Sequence, residues 1–135
     1  MHSLGLVHGD IKDENILIDE NGKVKLIDFG SASFYTGQKF TRFLGTIPYA
    51  SPEILRGDKF YDGPSAEVWA LGCCLYTMLT GQIPFSSKRH AILSKFYPSR
   101  PLSHSSNDLL LKMLQKDPKL RCSIDDIVAH DWLLE

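Results

Sequence analysis

The stretch His8-Gly9-Asp10-Ile11-Lys12-Asp13-Glu14-Asn15-Ile16-Leu17-Ile18-Asp19-Glu20-Asn21-Gly22-Lys23-Val24-Lys25-Leu26-Ile27-Asp28-Phe29-Gly30 decides how this chain is read. Ile16-Leu17-Ile18 is an apolar strand, and Val24, Leu26 and Ile27 form its return. Between them Asp19-Glu20-Asn21-Gly22 is a turn, because Asn-Gly readily takes the positive φ angles of a tight hairpin. Such a hairpin returns Asp28 to the end that carries Asp10, Lys12 and Asn15. Oxygen ligands crowded beside a lysine suit Mg²⁺-assisted phosphoryl transfer, in which a metal neutralises phosphate charge and a second carboxylate orients a hydroxyl. The plainer reading of the same residues is a hairpin with solvated acids at its mouth.

Asp10-x-Lys12-x-x-Asn15 followed 13 residues later by Asp28-Phe29-Gly30 is the more specific pattern. It resembles the catalytic loop (8–15) and metal-binding loop (28–30) of eukaryotic-type serine/threonine protein kinases. The resemblance implies that Asp10 accepts the proton of the substrate hydroxyl, that Lys12 steadies the transferring phosphate, and that Asn15 and Asp28 hold Mg²⁺. It sets Lys12, Glu14, Asn15, Leu17 and Asp28 around ATP, with Leu17 as the floor under the adenine. His8, Phe29 and Gly30 become structural parts of the two loops. HGDIKDENILI and KLIDFGSAS are most similar to the Pim kinases and the PAS-domain kinase, in the calmodulin-dependent-like branch.

Residues 28–53 then resemble an activation segment. Ser31–Tyr35 reads as a short strand and Thr36-Gly37-Gln38-Lys39 as a polar turn. Gly45-Thr46-Ile47-Pro48-Tyr49-Ala50-Ser51-Pro52-Glu53 is similar to the substrate-docking loop and Ala-Pro-Glu motif of kinases, with Ser51 in place of the alanine. The resemblance directs Thr46 toward Asp10 and Lys12, a serine/threonine-kinase arrangement. Gly9 stands where most kinases carry the arginine of His-Arg-Asp, and Arg42 where many carry a phosphorylated threonine. With both partners of that pair replaced, the segment is expected to need no phosphate there.

Residues 65–135 read as helical, giving an α+β chain, mostly α, with one small hairpin. Ser65 is the expected N-cap of a long helix. Val68, Leu71, Leu75, Met78 and Leu79 recur at helical spacing, Trp69, Cys73 and Tyr76 fill a second face, and Gly81 closes it. Cys73 and Cys74 are read as core packing. A short helix is expected around His90–Phe96, another from Asn107 to Leu114, and a last one that Ser123 and Asp126 cap, carrying Ile127 and Val128 inward. Glu67 occupies the place of the kinase central-helix aspartate that bonds the catalytic-loop backbone. Lys116-Asp117-Pro118-x-x-Arg121 resembles the segment whose arginine pairs with the motif glutamate, so a buried Glu53–Arg121 bridge is expected. His2, His90 and His104 are read as solvated.

Composition narrows the function classes. At 135 residues and 43% hydrophobic the chain can bury one core. Fifteen basic against sixteen acidic residues give no electrostatic footprint for nucleic acid or an anionic membrane. Three cysteines without CxxC spacing argue against a disulfide framework or zinc site, which fits a reduced cytoplasmic or nuclear setting. The resemblance spans 1–135 as a partial kinase domain. The glycine-rich loop and phosphate-gripping lysine of the amino-terminal lobe are not in this sequence, so the chain is read as the carboxy-terminal lobe, weakly active or inactive alone. Partners would be proteins with serine or threonine acceptors and the missing lobe. The resemblance places Glu14 where basic-directed kinases hold an upstream arginine, which implies a mild preference for basic residues before the acceptor. That preference is thinned because two further acidic positions of such kinases are Pro48 and Thr77 here. His8-Gly9-Asp10 also fits a small-molecule phosphotransferase of the aminoglycoside-kinase type, and a lone lobe fits a non-catalytic binding module.

Overall fold

Helix α2 (Gly63–Thr80) is apolar nearly all round, so the rest of the chain wraps it on several sides. The computed structural model describes residues 1–134. Asp62, not Ser65, caps α2: its carboxylate accepts from the Ser65 amide at 3.0 Å. Gly63-Pro64 can continue the helix because proline fits a first turn that has no partner for its missing N–H. Gly81, at φ +75°, ends the helix as expected. Trp69, Cys73, Cys74 and Tyr76 are buried, while Met78 is exposed against expectation. An all-round apolar pattern fixes a helix but not which of its sides meets solvent.

Trp69 stacks on Phe85 with ring centroids 5.2 Å apart. The Tyr76 hydroxyl donates to Ser99 Oγ at 2.8 Å and accepts from its amide at 2.7 Å. Burial pushes both adjacent thiols upward, Cys74 to about 12, which leaves them unreactive packing groups. Below α2 lies α4 (His104–Met113), which begins three residues before the expected start because the Ser103 side chain caps it. Leu109, Leu110, Met113 and Leu114 are buried from this side. Helix α3 (Lys88–Leu93) is shorter than expected and starts behind its cap, Ser87. Helix α5 (Ile124–Val128) carries the Ser123–Asp126 capping box, but only Ile127 is buried and Val128 is exposed. His90 packs edge-on against Phe85 and His2 bonds Glu67, so of the three histidines read as solvated only His104 is exposed.

The hairpin pairs β2 (Ile16–Ile18) with β3 (Val24–Leu26) in the register Ile16↔Leu26, Leu17↔Lys25, Ile18↔Val24. Its loop uses only Gly22 at positive φ (+76°), and Asp19 Oδ1 accepts from the amides of Asn21 and Lys23. That is a three-residue connection rather than the tight two-residue turn. A second ladder joins β1 (Leu6–Val7) to β4 (Ser33–Phe34). Among the described residues no helix is long and apolar enough to cross a membrane.

Short helix α1 (Pro52–Arg56) was not anticipated, and it carries Glu53. Arg121 grips that carboxylate through two bonds of 2.9 and 3.0 Å, donates to the carbonyls of Ser65 (2.9 Å) and Gln115 (3.0 Å), and lies over the Trp69 ring. The Glu53 and Arg121 side chains are essentially inaccessible. A fully hydrogen-bonded buried pair is stable as a unit, whereas one half alone is a stranded charge. Arg121→Ala or Glu53→Ala should therefore lose about 3–5 kcal/mol in urea unfolding. A loss below about 1 kcal/mol, the scale of a surface pair, would contradict this account of the bridge.

Candidate active site

The loop from His8 to Asn15 has little regular structure, so side chains from elsewhere must hold it. Glu67 on α2 does much of this. Its Oε2 accepts from the amides of His8 (2.8 Å) and Gly9 (3.1 Å), and its Oε1 meets His2 Nε2 at 3.3 Å. Gly9 is at φ +82°, and a Cβ there would fall 2.5 Å from the Ser31 carbonyl oxygen, so backbone shape alone accounts for glycine at this position. His8 is fully buried and ties the two loops together. Its Nδ1 accepts from the Asp10 amide (3.2 Å), which leaves Nε2 to donate to the Ile27 carbonyl (2.9 Å). Its ring meets Phe29 edge-on at 4.8 Å.

Asp10, Lys12 and Thr46 form one cluster. Thr46 Oγ1 donates to Asp10 Oδ1 at 2.7 Å, and Lys12 Nζ reaches Thr46 Oγ1 at 3.0 Å and Asp10 Oδ2 at 3.3 Å. Burial pushes the Asp10 pKa up, but the hydrogen bonds from Thr46 and Lys12 outweigh it and hold the group below the usual carboxylate range. Asn15 is buried, and its Nδ2 donates to the Asp10 carbonyl at 2.9 Å and more loosely to Oδ2 at 3.4 Å. The Asn15 main-chain carbonyl accepts from the Ile27 amide at 3.0 Å, which sets the chain entering Asp28 directly against the loop of residues 8–15.

Asp28 is the one described non-glycine residue with positive φ (+59°), and its Oδ1 accepts from the Gly30 amide at 3.3 Å. Strained backbone at a carboxylate is characteristic of functional loops. Among the described residues no three His, Cys, Asp or Glu side chains converge as a metal cage. The Asn15 amide and Asp28 carboxylate are two hard oxygen donors, a set that suits Mg²⁺, which commonly takes one or two protein oxygens and completes its shell with phosphates and water. Leu17 and Phe29 stand about half exposed, and Glu14 is exposed.

Further contacts have no sequence signal. The Tyr49 hydroxyl donates to Asp13, which lowers that carboxyl, while burial and then Asp13 itself raise the phenol. Residues 39–42 are also clasped to the start of α2: Lys39 pairs with Asp62 at 2.8 Å, Phe40 bridges Tyr61, and the Tyr61 hydroxyl donates to the Arg42 carbonyl at 3.0 Å.

Known proteins resemble this chain over nearly its whole length. A family model described as "Protein kinase domain" matches residues 1–133. Mouse "Sperm motility kinase 3A" is 41% identical over 99% of this chain and 28% of its own length. Rat "SNF-related serine/threonine-protein kinase" is 41% identical over 98% of the chain and 19% of its length. Mouse "PAS domain-containing serine/threonine-protein kinase" is 39% identical over the whole chain but a tenth of its own length. The chain thus spans less than a third of each of these relatives.

A carboxyl whose folded pKa is depressed contributes stability above its unfolded value and loses it as pH falls through the folded value. Carbon-13 NMR titration should put the Asp10 midpoint below its ordinary 3.8. Lys12→Met or Thr46→Val should raise it, since burial persists while an opposing hydrogen bond is lost. A midpoint that neither substitution moves would contradict the cluster's electrostatics.

Proposed function

Because the chain belongs to the protein kinase domain family, we propose that it serves ATP-dependent phosphorylation of serine or threonine in proteins. The observation that carries this reading is the Thr46–Asp10–Lys12 cluster. Asp10 is ionised, so it can accept the proton of an incoming hydroxyl as the oxygen–phosphorus bond forms and the bond to the departing diphosphate breaks. Lys12 sits where it can balance charge on the transferring phosphoryl group, and Thr46 holds both side chains in register. Asn15 and Asp28 would hold Mg²⁺, which supplies neutralising charge on the phosphates. Leu17 would lie against the adenine, with Glu14 nearby and exposed to a basic residue upstream of the acceptor.

This chain would furnish the carboxy-terminal lobe's share of the site. Leu17, Ile18, Val24 and Phe29, all exposed at the hairpin, support a nucleotide-covering lobe seated there. Alone it would turn over slowly, because positioning supplies much of the rate in phosphoryl transfer. The clasp of Lys39, Phe40 and Tyr61 supports an activation segment ordered without phosphate.

The test uses the protein carrying this chain together with its nucleotide-covering lobe, with Mg²⁺, ATP and a serine peptide. Asp10→Asn should lower kcat by about 10²–10⁴-fold with the peptide KM little changed. Phosphatase treatment should leave the rate unchanged, and a tyrosine peptide should not be phosphorylated. An Asp10→Asn variant as fast as the parent would remove the phosphotransfer reading. A large loss after phosphatase treatment would remove the phosphate-independent segment alone.

A further inference from the structure

Between Val68 and Asn107 the chain has no aspartate or glutamate; every one of its sixteen acids lies outside that run. Lys88, Arg89, Lys95 and Arg100 all fall inside it. The near-neutral net charge therefore conceals a one-signed region around α3. The four cations are exposed, and Lys88, Arg89 and Lys95 have no ion-pair partner among the described residues. Helix α1 packs on α3, but its exposed Arg56 is already paired with Asp58. Beneath α3 a further cation, Lys116, donates to the Ala91 carbonyl at 2.6 Å and lies over the Phe85 and Trp69 rings. Among the described residues no acid from a neighbouring element forms an ion pair with Lys88, Arg89 or Lys95.

The same surface is apolar between its charges. Leu93 is 69% exposed and Tyr97 75%. Lys88, Arg89, Ile92 and Leu93 line a shallow depression formed by the two i, i+4 rows of α3. Ala91, which is buried, and His90, which rests on Phe85, hold the helix from below, so the depression belongs to a fixed element.

We propose that this face of α3 docks an acidic peptide segment of a partner protein, in which an aliphatic side chain is flanked by glutamates or aspartates. The aliphatic residue would enter the depression against Ile92 and Leu93, and the flanking carboxylates would meet Lys88 and Arg89 on one side and Lys95 on the other. Charge complementarity selects the sign of the partner. The partly recessed Ile92 favours a side chain that can reach it over a flat anionic lipid surface or a phosphate backbone.

The proposal does not depend on phosphotransfer, and its test needs no ATP. The probe is a fluorescein-labelled peptide, Glu-Asp-Glu-Leu-Glu-Asp-Glu, followed by anisotropy with the whole protein at 0.1 M salt. Lys88→Glu/Arg89→Glu should weaken binding at least about tenfold, the equivalent of about 1.4 kcal/mol. Leu93→Ser should weaken it severalfold with the charges intact, and Lys23→Glu on the distant hairpin loop should not. Binding should fade toward 1 M salt as screening shortens to about 3 Å. Lys95→Glu supplies an independent variant should the double substitution disturb the circular dichroism. No binding, binding indifferent to both charge reversals, or tighter association with phosphatidylserine vesicles or single-stranded DNA would overturn the proposal.

Discussion

The first turns of α2 are the constraint on which the rest of the structure depends. Within six residues, Asp62 receives Lys39 from the activation segment, the Ser65 carbonyl receives Arg121 and with it Glu53, and Glu67 receives the backbone of His8 and Gly9. Three segments far apart in sequence are thereby fixed to one buried helix end. A helix packed on several sides can hold all three, and the buried Trp69, Cys73, Cys74 and Tyr76 provide that packing. One oxygen of the Glu67 carboxylate accepts from two successive amides while the other meets His2.

Order then passes from the helix to the chemistry. The His8 and Gly9 amides set the catalytic loop, and the His8 ring fixes Ile27 next to Asp28. The loop in turn presents Asp10 and Lys12 to Thr46, which comes from a segment pinned at one end by Lys39 and at the other by Glu53. The cluster is exacting because each member shares a bond with the other two. Displacing the segment would remove the Thr46 hydrogen bond, one of the contacts that hold the Asp10 pKa below its usual range.

The hairpin and the spacing of Asp10, Lys12, Asn15 and Asp28 were legible because short-range rules, alternation and turn residues, govern them. The meeting of Glu53 with Arg121 was legible only through resemblance, since nothing local links residues 68 apart. Helix phase was not legible where apolar residues lie all round, so Met78 and Val128 were placed inward and are exposed. Strand β4 (Ser33–Phe34) falls inside the expected strand at 31–35, but its partner β1, two residues long, is too short to leave a periodic trace. The cap at Asp62 is hidden behind the more conventional Ser65, because Gly-Pro is ordinarily a turn signal and masks the first turn of the helix. The contacts of His2 with Glu67 and of Tyr49 with Asp13 are purely tertiary.

The central claim is that Asn15 and Asp28 share one metal–phosphate site beside the Asp10 carboxylate. A crystal structure of the whole protein with Mn²⁺ and a non-hydrolysable ATP analogue tests it directly through the anomalous signal of the metal. The account predicts a peak within bonding distance of Asn15 Oδ1 and an Asp28 carboxylate oxygen, with the γ-phosphate on the Asp10 and Lys12 side. A nucleotide bound with its metal held elsewhere, or with Asp28 turned away from Asn15, would contradict it.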